Sequence, residues 1–125
     1  MITFCNNTYI NVAKRHWLAT LDNLRQENAM LQNRLAQALK SQVGNLFLQQ
    51  AEELQQQLIQ YDQLWSLLKQ EMKSFSPVVE TESRKIKRHV GTYDFYILER
   101  DIHLARRTFA TTRADLDMQL IDNVY

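Results

Sequence analysis

Between Ala51 and Phe75 an apolar side chain recurs at every third or fourth position without a gap: Ala51, Leu54, Leu58, Tyr61, Trp65, Leu68, Met72 and Phe75. Spacing that alternates three and four stays on one face of a helix only when that helix winds about another, because 3.5 residues per turn is the coiled-coil repeat. A strand would require alternation at every second residue. The segment therefore demands helical neighbours, and the first third of the chain offers one. Ile10, Trp17, Leu21, Leu24, Leu31, Leu35 and Ala38 keep the same rhythm, interrupted by one polar residue, Asn28.

The positions of the helix breakers divide the chain. Only two glycines and one proline occur in 125 residues. That leaves too few left-handed or pre-bent positions for the turns of a sandwich, a barrel or a doubly wound sheet. Asn7 or Thr8 can cap a first helix over about residues 8–42. Gly44-Asn45 is its expected stop, Gly44 accepting the left-handed conformation and Asn45 capping a second helix over about 45–75. Ser76-Pro77 ends that one and can start a third over about 77–121, since proline is suited to the first helical position. The fold expected is all-α: a single domain, 1–125, forming an elongated antiparallel three-helix bundle or coiled coil.

The third helix carries two apolar stripes. Ile86, Val90, Tyr93, Ile97 and Leu104 form one; Phe95, Leu98, Ile102, Ala105, Phe109, Leu116 and Leu120 form the other, separated by roughly 130° on a helical wheel. Either Gly91 breaks this helix and makes the bundle four-membered, or one stripe packs within the chain and the other against a second chain. The second reading is preferred, because an isolated helical glycine costs only about 1 kcal/mol. It implies a homodimer, with Tyr93, Tyr96, Leu98 and Ile102 as partner-binding candidates.

Leu21, Leu24, Asn28, Leu31 and Leu35 resemble a dimeric leucine zipper, in which a buried seam asparagine selects register and oligomer state. Asn28 is thus a further partner-binding candidate, the alternative being a place on the rim of an intramolecular bundle. Only Lys14-Arg15 precede the seam, so the long basic region of a DNA-binding zipper is lacking.

Charge is balanced overall, with 15 Lys+Arg against 14 Asp+Glu. The one dense basic cluster is Arg84, Lys85, Lys87 and Arg88, a candidate for binding an anion such as nucleic acid. Glu99 and His103 share a helical face four residues apart, the only pair worth testing for metal or proton-transfer chemistry. Trp17 and Trp65 sit among leucines and read as core. There is no phosphate loop and no nucleophile motif, so neither an enzyme nor a cofactor is expected. Cys5 is the only cysteine, which rules out an intramolecular disulfide and a cysteine-based metal site and fits a reducing compartment. The opening MITFCNNTYINV lacks the pattern of a secretion signal, and no stretch approaches a membrane span. These features predict a soluble, cytoplasmic, non-catalytic interaction or scaffold protein. It would associate with itself and present helical surfaces to protein partners; binding of an anionic partner through residues 84–88 is the alternative.

Overall fold

The computed structural model describes residues 2–40, 44–75 and 92–123, with the side chains of 9–40, 44–75 and 94–122. Three helices account for almost all of them: α1 (Ile2–Leu39), α2 (Asn45–Ser74) and α3 (Thr92–Asn123). At 1.5 Å per residue these rods are on the order of 45–57 Å long. Lys69 meets Asp22 and Asp62 meets Arg25, so α2 runs back along α1. Glu99 meets Tyr9, and Asp117 meets Arg34, so α3 returns parallel to α1. This is an up-down-up three-helix bundle.

The seams become its core. Ile10, Trp17, Leu21, Leu31, Leu35 and Ala38 of α1 are buried, and so are Ala51, Leu54, Leu58, Trp65, Leu68 and Met72 of α2. Leu24, Tyr61 and Phe75 pack against them half-buried. Ala13 fills the step between Ile10 and Trp17 in the first stripe, and Phe47 extends the second by one step ahead of Ala51. From α3 the buried stripe is Phe95, Leu98, Ile102, Phe109, Leu116 and Leu120. Trp65 stands at the middle of the bundle, stacked on Tyr61 with ring centroids 5.7 Å apart and edge-on to Phe109 at 5.5 Å. Both tryptophans are thus core residues.

Helix ends differ from the expectations in two places. α1 is already helical at Ile2, so Asn7 and Thr8 lie within the helix and not at its N-cap position. A cap preference of about 1 kcal/mol does not start a helix at Thr8 when no glycine or proline precedes it, and an interior Asn costs less than about 0.7 kcal/mol. Gly44 does not take up the left-handed conformation. It is the N-cap of α2, with φ −71° and ψ 160°, and its carbonyl accepts the first helical hydrogen bond from Leu48 N–H at 3.0 Å. At the far end α2 stops at Ser74 with Phe75 extended, as the following Ser76-Pro77 pair predicts. Lys14 reaches across from α1 and donates to the carbonyls of Lys73 and Phe75, at 3.1 and 2.6 Å, closing that terminus. Ser76, Pro77 and Gly91 lie outside the described residues.

Among the described residues two polar side chains interrupt the core, and each spans two helices. Asn28 is fully buried and donates from Nδ2 to the carbonyl of Leu58 at 2.8 Å. Its seam position is therefore satisfied from one side by α2 of the same chain, and Asn28 is not a rim residue. Its Oδ1 has no hydrogen-bond partner. Thr112, on α3, meets Tyr61 Oη at 3.3 Å and donates to Gln57 Oε1 at 3.4 Å. Sequence periodicity passed over Thr112, which takes the helical step between Phe109 and Leu116.

Two stability outcomes follow from this packing. Asn28→Leu removes a buried, half-satisfied amide, while the Leu58 carbonyl keeps its place in the α2 ladder; chemical denaturation should show a gain of about 1–2 kcal/mol. A loss of similar size would mean that the amide contributes net stability. At Gly44 the backbone is extended and an added Cβ meets nothing within 4 Å, so Gly44→Asp should stabilise by about 0.5–1 kcal/mol through capping and a less flexible unfolded chain. An unchanged midpoint in the same titration counts against that assignment.

Candidate functional site

Where α1 and α3 run side by side at their N-terminal ends, an open groove of about 800 Å³ lies between them. The α1 wall presents Tyr9, Val12, Ala13 and His16, with Trp17 beneath; the α3 wall presents Tyr96, Arg100, His103, Leu104 and Arg107. Both walls follow from helical spacing, one to two turns apart along each rod. The floor is hydrogen-bonded. Glu99 turns its carboxylate towards α1, where Tyr9 Oη donates to both oxygens at 2.9 and 2.8 Å and Trp17 Nε1 donates to Oε2 at 2.7 Å. Trp17, only 4% exposed, is hemmed by rings and charge: His103 edge-on at 4.8 Å, His16 at 5.1 Å, and the Arg106 guanidinium 6.0 Å from the indole. Tyr9 also packs edge-on to Phe95, whose other neighbour is Phe75 at the end of α2.

The electrostatics of this cluster are read most clearly at Tyr9. Loss of water around its hydroxyl, then the hydrogen bond to Glu99 and the charge of that carboxylate, push its pKa from 10.0 up to about 12. On the opposite side of α1, the hydrogen bond from Lys69 at 2.6 Å holds the Asp22 carboxyl below the usual carboxylate range.

Glu99 and His103 do share the groove, but their partners differ. The carboxylate is engaged by Tyr9 and Trp17 of α1, and the imidazole stands against the indole. Among the described residues no group of three or more His, Cys, Asp or Glu side chains is placed to hold a metal ion. No helix of the described residues is long and apolar enough to cross a membrane.

The candidates for partner binding fall in different environments. Tyr96 is 46% exposed at the groove, while Leu98 and Ile102 are buried in the chain's own core, at 5% and 0%. Those two are withdrawn from any surface a partner reaches: α3 spends the Phe95–Leu120 stripe inside the bundle, because that stripe faces both α1 and α2. Of the other stripe, Ile97 is half-buried and Leu104 is 50% exposed. Asn28 is likewise inside the core. Tyr93 lies in the first turn of α3 with its side chain outside the described residues, as are Arg84, Lys85, Lys87 and Arg88 altogether. Periodicity had no means of finding the Tyr9–Glu99–Trp17 cluster, because its members are some 80 to 90 positions apart. Comparison with protein families, with curated proteins and with solved structures found no match.

Tyr9 offers a pH test. A pKa raised on folding contributes stability that is fully present below the unfolded value of 10.0 and is lost as the pH rises towards about 12. Stability of the wild-type chain should therefore fall more steeply between pH 10 and 12 than that of Tyr9→Phe. In Glu99→Gln the Tyr9 phenolate, followed as an absorbance difference against Tyr9→Phe in the same background, should appear at lower pH than in the wild type. Superimposable titrations would show that Glu99 does not hold the phenol.

Proposed function

We infer that this chain is a non-catalytic helical interaction protein that presents a bundle surface to protein partners, and that the surface is the α1–α3 groove. One observation carries the reading: Tyr9, Val12, Tyr96 and Leu104, 44–58% exposed, gather around a single open crevice. Exposed apolar residues that stand singly are ordinary on any protein surface; a cluster around a concave site is the feature associated with recognition. The immediate surroundings favour docking over chemistry, since the Glu99 carboxylate is occupied by two donors of the same chain and, among the described residues, no serine, threonine, cysteine or lysine lines the groove.

Self-association is the second reading, favoured by Leu104. It belongs to the stripe of α3 that the core leaves over, the stripe expected to face a second chain. A homodimer built through it would occupy the same edge of α3 as the groove, so the two readings compete for one surface.

Replacing Val12 and Leu104 together by Glu puts charge on two exposed positions and should leave helicity and thermal unfolding within about 0.5 kcal/mol of the wild type. Immobilised wild-type chain should retain from a host extract a protein that the double variant releases, while sedimentation shows a monomer at tens of micromolar. A wild-type dimer dissolved by the double variant would instead establish self-association. Identical captured proteins and identical sedimentation for both chains would remove the groove from the function.

A further inference from the structure

We propose that the α1–α3 groove receives an acidic amphipathic helix of a partner protein. This rests on the interaction reading above and adds the chemistry of what is bound. Shape comes first. The crevice runs between two parallel helices, a site where a further helix can lay its apolar face along the same axis, as bundle members do. From Tyr96 to Arg107 the α3 wall extends about 16 Å, the length of roughly three turns of a bound helix. The apolar contacts available to it, Val12 and Tyr9 on one wall and Tyr96 and Leu104 on the other, suit leucine-sized side chains at helical spacing.

Charge selects the acidic partner. Arg100 and Arg107 stand seven residues apart on the α3 wall, two turns along one edge of the groove. Arg107 has no carboxylate partner among the described residues, and Arg100 reaches only its neighbour Asp101, at 3.5 Å, with both side chains at least half exposed. Among the described residues the one carboxylate lining the groove, Glu99, faces inward and is held by Tyr9 and Trp17, so it does not oppose acids arriving at the rim. Carboxylates seven residues apart on a bound helix would meet the two guanidinium groups in register. A nucleic-acid backbone fits less well: two arginines are few beside the larger number of phosphate contacts that such binding needs, and the rest of the lining is largely carbon. Arg106 takes no part at the rim, since it packs over the Trp17 indole.

The test uses the full chain and two synthetic helical peptides of about sixteen residues with an identical leucine stripe, one flanked by Glu and one by Lys. Calorimetry should show binding of the Glu peptide, weakened by added salt, and little binding of the Lys peptide. Arg107→Glu should weaken the Glu peptide about tenfold at an unchanged melting temperature, and Leu104→Glu should abolish its binding. Equal affinity for both peptides, lost in Leu104→Glu, would overturn the acidic assignment and leave the docking groove standing. Binding indifferent to Leu104→Glu, or no binding of either peptide, would overturn the proposal, and the proteins captured by the wild-type chain then decide the interaction reading separately. Displacement of a wild-type dimer by either peptide would show the natural occupant to be a second copy and also overturn it.

Discussion

Burial of the α1 and α2 seams against each other is the constraint on which the rest of the bundle depends. Leu21, Leu35, Leu58 and Trp65 are within 1% of complete burial, and at about 25 cal/mol per Å² of apolar surface such side chains each contribute on the order of 2 kcal/mol. Ion pairs along the edges, Asp22–Lys69 and Arg25–Asp62, are half-exposed and add little by comparison. Two helices cannot close such seams by themselves. Each stripe is wider than a single contact line, and α3 completes the core by laying Phe95, Ile102, Phe109 and Leu116 into the channel between them.

Apolar stripes alone do not set how far one rod slides along another, because every heptad resembles the next. Polar rungs do. Asn28 Nδ2 finds its partner at the Leu58 carbonyl, and a slide that separated the two would leave the buried amide nitrogen unpaired, at a cost of about 1–3 kcal/mol. Between α2 and α3 the rung is Thr112 with Tyr61 and Gln57. Between α1 and α3 it is a ladder: Glu99 with Tyr9 and Trp17, Arg113 with Glu27, and Asp117 with Arg34. On α3 Glu99, Arg106, which packs over the Trp17 indole, and Arg113 follow one another every seven residues, the spacing by which coiled coils place flanking charges beside the seam.

The parts of this architecture that rest on periodicity were legible from the residues alone. The α2 stripe from Ala51 to Phe75, the α1 stripe with its single asparagine, and the stop before Ser76-Pro77 all depend on neighbours three or four positions apart. What depends on distant residues was not legible. Which of the two α3 stripes faces inward is decided by where α3 lies relative to α1 and α2, so Leu98 and Ile102 pass from partner-binding candidates to core. The conformation of Gly44 depends on whether it closes one helix or opens the next, and the residue type permits both. The Glu99 cluster is assembled by α1 and α3 meeting in parallel, and a lone Glu-x-x-x-His spacing carries no trace of a tyrosine and a tryptophan near the other end of the chain.

The ladder between α1 and α3 also explains why the groove lies where it does. Farther down the bundle, Glu27–Arg113 and Arg34–Asp117 bridge the two helices with charged side chains that reach across and cover the contact. At the upper end the bridging carboxylate of Glu99 is drawn down onto the Trp17 indole and the Tyr9 hydroxyl, and Arg106 and His103 are drawn onto the same indole. Ala13, on the facing wall, has no side chain long enough to fill what remains. The side chains that would seal the crevice are spent on its floor, and the cations beyond them, Arg100 and Arg107, are left along an apolar channel without strong partners. A surface of that kind is incompletely desolvated and incompletely neutralised at one place, which is the physical condition for a further helix to gain free energy by binding there.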